Sequence, residues 1–207
     1  MILDSPSIAE VYAEGQRFFM GKGKLNDALS RLARDLKEHE IDYMVIGALA
    51  LLAYGYPRFT EDIDVILTPA GLERFHSELI GRGYLPAFAG ARKRLKSTAD
   101  GTPVELIAAG EYPGDGKPKP VSFPDPTDQP VEIDGIRFPT LAKLIELKLA
   151  SGMTAPDRLK DLADVQELIK IRGLSGGYAE QLNSYVKEKF LELVEAVESG
   201  RRNHNEE

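Results

Sequence analysis

The stretch that most constrains this chain runs from Gly47 to Leu67, where a small-residue apolar segment separates a glycine from a closely spaced acidic pair. Ahead of it, Tyr43-Met44-Val45-Ile46 reads as a short buried strand that stops at a glycine, after which a small-residue apolar helix begins. A strand, a glycine turn and a helix N-terminus together make a place where backbone N–H groups can face an anion. The chain then turns at Gly55 and Pro57 and enters a second strand, Asp62 to Leu67. Its period of two puts Ile63, Val65 and Leu67 on one face and Asp62 with Asp64 on the other.

Two carboxylates two residues apart on a strand lie roughly 7 Å apart along it, and closer if the side chains converge. Like charges at that spacing raise each other's pKa unless a cation sits between them. Mg²⁺ suits the role, because it takes one or two carboxylates plus substrate phosphates and keeps several waters. An isolated Asp-X-Asp is also what a solvated strand start looks like. The glycine turn and helix before it set this one apart.

These residues resemble the nucleotidyltransferase superfamily with the DNA polymerase beta-like fold. Its signature is a Gly-Ser or Gly-Gly turn after the first strand, a helix, and Asp-X-Asp on the next strand. Here the pattern stands as Gly47-Ala48, thirteen intervening residues and Asp62-Ile63-Asp64. The wording from Arg58 to Asp64 looks most like the branch of AbiEii-type toxins and their minimal relatives. Ala48 stands where the family has Gly or Ser, so contacts there are left to the backbone.

The resemblance implies an α/β (α+β) fold: a nucleotidyltransferase-like core with a small mixed sheet flanked by helices, plus a helical C-terminal part. It implies transfer of a nucleoside monophosphate from an NTP to an acceptor hydroxyl, on an RNA end such as tRNA or on a protein. Asp62 and Asp64 would hold Mg²⁺ or Mn²⁺, with Glu105 as third ligand or as base. Gly47, Ala48, Arg58, Thr60, Lys148, Arg158, Lys160 and Asp161 would bind the nucleotide. Two alternatives differ in class. One is a catalytically silent member that binds a partner protein or nucleotide, as within a toxin–antitoxin pair; the other resembles aminoglycoside nucleotidyltransferases and modifies a small molecule.

At 207 residues the chain is long enough for a substantial core with a helical appendage. Its 43% hydrophobic and 29% charged content is ordinary for a soluble globular protein. With no cysteine there is no disulfide framework, thiolate metal site or cysteine nucleophile, and a cytoplasmic location is expected. The first residues lack a secretory pattern, and the apolar run from Tyr43 to Gly55 is too short to span a bilayer, so no membrane partner is expected. A net charge of −7 argues against broad adhesion to nucleic acid but leaves room for a local basic groove.

Along the chain, Asp4-Ser5-Pro6 reads as a cap for a helix to about Met20, broken at Gly21-Lys22-Gly23. A helix from Leu25 to about Glu40 carries the apolar stripe Leu25, Ala28, Leu29, Leu32 and Leu36. After Thr68-Pro69 comes another, with Leu72, Phe75, Leu79 and Ile80. Strands are expected over Arg92–Lys96 and Pro103–Ile107, with Arg92, Arg94 and Lys96 sharing one face, either as a solvated edge or facing phosphate. Alternation puts Glu105 on the face opposite Val104 and Leu106. The proline-broken run Tyr112 to Pro130 reads as an excursion that either covers the site or is mobile, and Val131 to Phe138 as a hairpin turning at Asp134-Gly135.

Pro139-Thr140 opens the helical part, where Lys148 falls on the apolar face four residues after Leu144. Such a lysine either snorkels from a helix edge or is buried against an anion. The anions on offer are a nucleotide phosphate and the carboxylates Asp161 and Asp164, which share a face of the next helix. Arg158, Lys160, Asp161 and Asp164 also match a run that faces the active site in the resembled branch. Gly173 to Gly177 ends that helix, and an acidic amphipathic helix from about Tyr178 to Val197 follows. The expected organisation is an N-terminal helix over residues 1–23, a core over 24–138, a helical part over 139–199 and a disordered tail over 200–207. His39, His76 and His204 show no metal-ligand spacing, and Gly21-Lys22-Gly23-Lys24 lacks the rest of a P-loop.

Overall fold

The computed structural model describes residues 23–204, so the helix expected from Asp4 to about Met20 lies outside the described residues. Helix α1 (Lys24–Glu38) buries Leu25, Ala28, Leu29, Leu32, Ala33 and Leu36, the three-and-four spacing of one helical face. It ends where Glu40 takes a left-handed turn, and strand β1 (Tyr43–Val45) follows. Helix α2 (Gly47–Ala53) leads to strand β2 (Ile63–Leu67), and helix α3 (Pro69–Glu78) begins at the Thr68 cap, whose Oγ1 accepts from Gly71 N at 2.8 Å. Strands β3 (Tyr84–Pro86), β4 (Arg94–Ser97) and β5 (Pro103–Ala108) complete a mixed five-stranded sheet in the order β1-β2-β5-β4-β3. Among the described residues β2 and β5 run parallel and the other neighbours in this sheet run antiparallel.

The sheet has two unlike faces. Ile63, Val65, Leu67, Leu95, Val104 and Leu106 join α1 and α3 in the main apolar cluster, the face that alternation along β2 and β5 predicts. On the other face, Met44, Ile46 and Ile66 form a small cluster with Ile107, Ala109 and Phe123 packed against it. Beyond that cluster the same face opens onto Asp64 and Glu105.

The hairpin of β6 (Val131–Ile133) and β7 (Ile136–Phe138) turns at Asp134 and Gly135, with φ of 51° and 76°, as an Asp-Gly turn of primed type requires. Helix α4 (Leu141–Thr154) starts at the Thr140 cap and packs against α5 (Leu159–Arg172), which a 3₁₀ turn over Pro156–Arg158 precedes and Gly173 closes at φ 61°. Another 3₁₀ segment, Gly176–Gln181, leads to α6 (Ser184–His204). The main cluster continues without a break from α1 to Val197 on α6.

The structure departs from the sequence expectations in three places. The last helix starts later than Tyr178, because Asn183 Oδ1 caps it by accepting from Tyr185 N at 3.0 Å. It also continues through His204, where a disordered tail was expected from Gly200; Arg201 Nη2 donates to Lys170 O at 3.1 Å and ties this turn to α5. The row Arg92, Arg94, Lys96 is broken, since β4 begins only at Arg94. Arg92 sits in a bend, pairs with Glu73 on α3 at 2.7 Å and leaves Arg94 and Lys96 alone on the exposed side.

The excursion after β5 has no regular structure, yet it is tied down. Gly110 N donates to Phe123 O at 2.9 Å, Phe123 N to Glu111 O at 2.8 Å, and Lys119 Nζ to Pro113 O at 2.6 Å. No helix among the described residues is long and apolar enough to cross a membrane. Phe75 is fully buried between α3 and the sheet, so Phe75→Ala is expected to lower stability by about 3–5 kcal/mol in a urea titration.

Candidate active site

A cleft of about 500 Å³ lies on the open face of the sheet. Its floor is set by strand register. Parallel pairing puts Asp64 directly beside Glu105, and antiparallel pairing puts Glu105 beside Arg94, whose Nε is 4.0 Å from Glu105 Oε1. Asp62 sits just before β2, where its Oδ1 accepts a hydrogen bond from Thr60 Oγ1. One wall is built by α4 and the start of α5 through Leu144, Leu147, Lys148, Ser151, Arg158, Lys160 and Asp161. Lys93, Glu111, Tyr112 and Pro113 also border the cleft.

Gly47 borders the floor with φ +68°, and a Cβ at this position would collide with Asp64 Oδ2. Glycine is required here both by its backbone angle and by the close approach of that carboxylate. Ala48 is buried and does not line the cleft, so any contribution from it comes through the main chain.

Asp64 is the most perturbed carboxylate of the floor. Burial first, then the charges of Asp62 and Glu105, push it from the ordinary 3.8 up to about 6, against the smaller opposing pull of Lys148 and Arg158. Asp64 therefore feels both of its acidic neighbours, although among the described residues no group of three or more His, Cys, Asp or Glu side chains converges to hold a metal ion. The donor chemistry nonetheless fits a hard divalent cation: carboxylate oxygens without sulfur or imidazole, and a repulsion at Asp64 that such a cation would relieve. Asp62 and Asp64, with Glu105 beside them, are the residues that would hold it.

Within the α4–α5 wall lies a buried ion cluster. Lys148 Nζ donates to Asp161 Oδ1 at 2.9 Å and to Asp164 Oδ2 at 2.7 Å, and Ser151 Oγ donates to Asp161 Oδ2 at 2.7 Å. Arg58 Nε, buried and without a hydrogen bond, lies 3.6 Å from Asp164 Oδ1. Lys148 thus takes both carboxylates in the free protein. Burial works to raise the pKa of Asp161, but Lys148, Ser151 and Arg158 outweigh it and hold Asp161 below the usual range.

Of the residues expected from the sequence, Gly47, Arg58, Thr60, Asp62, Asp64, Glu105, Lys148, Arg158, Lys160 and Asp161 all border this one cleft, and Ala48 does not. Sequence reasoning missed Lys93, Glu111 and Ser151. Extending the alternation of β4 back to Arg92 hid Lys93, which the bend turns toward the cleft. Ser151 lies three residues after Lys148, so helical spacing could have found it. Glu111 carried no local signal.

No family model and no curated protein matches the chain. Several solved structures resemble it, three of which follow. An antigenic nucleotidyltransferase-like protein from Paracoccidioides brasiliensis shares 15% identity over 70% of this chain and 75% of its own, at TM-score 0.45. The antibiotic-resistance factor ANT(2'')-Ia, a solution structure with substrate-regulated conformation dynamics, shares 11% over 86% and 96%, at TM-score 0.49. A proposed nucleotidyltransferase from Thermotoga maritima shares 21% over 71% and 89%, at TM-score 0.36. At these levels the chemistry has to be read from this chain's own side chains.

Two outcomes follow from the electrostatics. Lys148→Met would leave Asp161 and Asp164 buried without their cation, so a loss of about 3–5 kcal/mol is expected in chemical denaturation, partly recovered when Asp161→Asn and Asp164→Asn are added. Asp64 holds its proton more tightly folded than unfolded, so its contribution to stability is full below pH 3.8 and lost as the pH rises through about 6. Asp64→Asn should therefore gain on the wild-type protein by on the order of 2–3 kcal/mol above that range and by little below it, as thermal melts across pH would show.

Proposed function

We propose that the cleft binds a nucleoside triphosphate together with a divalent cation and transfers its nucleoside monophosphate to an acceptor hydroxyl. The observation that carries this proposal is the register of β2 and β5, which lines up Asp64 with Glu105 beside Asp62 on a floor faced by cations. Support comes also from the Gly47 turn and the Asp62-Ile63-Asp64 spacing that resemble nucleotidyltransferases. Mg²⁺ or Mn²⁺, when bound by Asp62 and Asp64, would supply charge for the phosphates and lower the pKa of the attacking hydroxyl.

The chain's residues do the rest. The acceptor oxygen forms a bond to the α-phosphorus, the bond from that phosphorus to the α–β bridging oxygen breaks, and pyrophosphate leaves. Glu105, whose side chain is 44% exposed, takes the hydroxyl proton and passes it to solvent. Lys148 acts from a fixed place: its two carboxylates hold it, and its charge reaches Asp64 through space. Arg158 and Lys160, exposed at the rim and without an ion pair among the described residues, meet the phosphates.

A second proposal, a partner-binding protein with a silent site, is favoured by Ala48 and by the lack of a converged carboxylate group among the described residues. Labelled NTPs incubated with Mg²⁺, total tRNA and candidate partner proteins separate the two. Label on RNA or on protein identifies the acceptor, and NTP binding with no label on any acceptor favours the silent site.

Asp62→Asn and Asp64→Asn are each expected to abolish Mg²⁺-dependent NTP binding in calorimetry while leaving the thermal midpoint equal or higher. Unchanged affinity in both variants would remove the metal from this floor.

A further inference from the structure

The cleft is lined by five cationic and five acidic side chains, so beyond Arg158 and Lys160, which have no ion pair among the described residues, an incoming polyphosphate can gain a further cation only where an acidic neighbour releases it. Lys148 cannot be released cheaply. Its side chain is 8% exposed, and moving it would strand two buried carboxylates. Arg58 stands against the same Asp164.

Lys93 is placed differently. It pairs with Glu111 at the edge of the cleft, where the two side chains are 41% and 46% exposed, so water can replace either partner and the pair holds weakly. Its backbone is nevertheless fixed, because Lys93 O accepts from Leu106 N at 2.7 Å, immediately beside Glu105 on β5. Glu111 also has somewhere else to turn, since its Oε2 already accepts from Ala108 N at 3.4 Å. A pinned main chain, a loosely held ammonium and a carboxylate with a second donor make a pair that can open without leaving either charge stranded.

We propose that Lys93 is a phosphate-binding residue of the cleft, passing from Glu111 to the triphosphate of the bound nucleotide while Lys148 keeps its partners. Glu111 opposes polyanions until that exchange occurs. This rests on the nucleotide-binding function proposed above and adds a residue that selects for phosphate number, because a longer phosphate chain is what draws Lys93 away from Glu111.

The test is calorimetry on the full chain with Mg²⁺ and ATP, GTP, CTP or UTP, then with the monophosphate of whichever base binds tightest. Lys93→Ala should weaken triphosphate binding about tenfold or more, the worth of a charged hydrogen bond, and monophosphate binding less than about threefold. Lys93→Arg should restore most of the loss. Glu111→Gln should tighten triphosphate binding, and all three variants should melt with the wild-type protein, as expected for an exposed pair. Triphosphate affinity unchanged in Lys93→Ala overturns the role of Lys93 and leaves the nucleotide site standing. Equal weakening by Lys93→Ala and Glu111→Gln overturns it in favour of a structural pair. A wild-type protein that binds none of the four overturns the role and the proposed function together.

Discussion

Parallel pairing of β2 with β5 is the constraint on which the rest of the site depends. A parallel pair needs a crossover, and here α3, β3 and β4 fill it, so that the strand bearing Asp64 and the strand bearing Glu105 become neighbours although far apart in sequence. Since side chains alternate strictly along a strand, a slip of one residue would send Asp64 into the apolar cluster and Val65 into the cleft. The hydrophobic side of β2, with Ile63, Val65 and Leu67 all fully buried, makes that slip costly. The core on one face thereby holds the acids in place on the other.

The charges around the cleft divide according to water. On the α4–α5 wall, Lys148, Asp161 and Asp164 are shut away, with Arg58 also beside Asp164, which makes the wall rigid and holds at a fixed place the Lys148 charge that pulls on Asp64. At the rim, Lys93, Glu111, Arg158 and Lys160 remain in contact with solvent, where exchanging partners costs little. Asp64 lies between these regimes. It is buried enough for its proton to be held up to about pH 6, and it shares the floor with two other acids that a cation would reconcile.

The loop from Ala109 to Pro130 shows how irregular chain becomes a wall. Its prolines and glycines exclude regular structure, but Val121 is buried in the main core and Gly114 packs so closely on α4 that a side chain there would meet Ser151 and Thr154. Lys119, only 5% exposed, holds Pro113 and Asp115 together by donating to both. Tyr112 and Pro113 are thus presented at the cleft by tertiary contacts with helix α4 rather than by any local propensity.

Much of the site was legible because its parts obey short-range rules. Strand alternation separated Asp62 and Asp64 from their apolar neighbours, helical spacing put Lys148 on an apolar face and Asp161 with Asp164 on one face of the next helix, and a glycine after the first strand marked the turn at Gly47. The end of α6, the isolation of Arg92 and the cleft-facing Lys93 were not legible, for each depends on a residue distant in sequence: Lys170, Glu73 and Leu106. Periodicity assigns a side chain to a face, and so the sequence by itself determined which residues could serve a cleft. Which charges are locked and which are free was decided only by the tertiary structure, because exclusion of water comes from the packing of α4 against α5, and the strength of an ion pair follows from that exclusion.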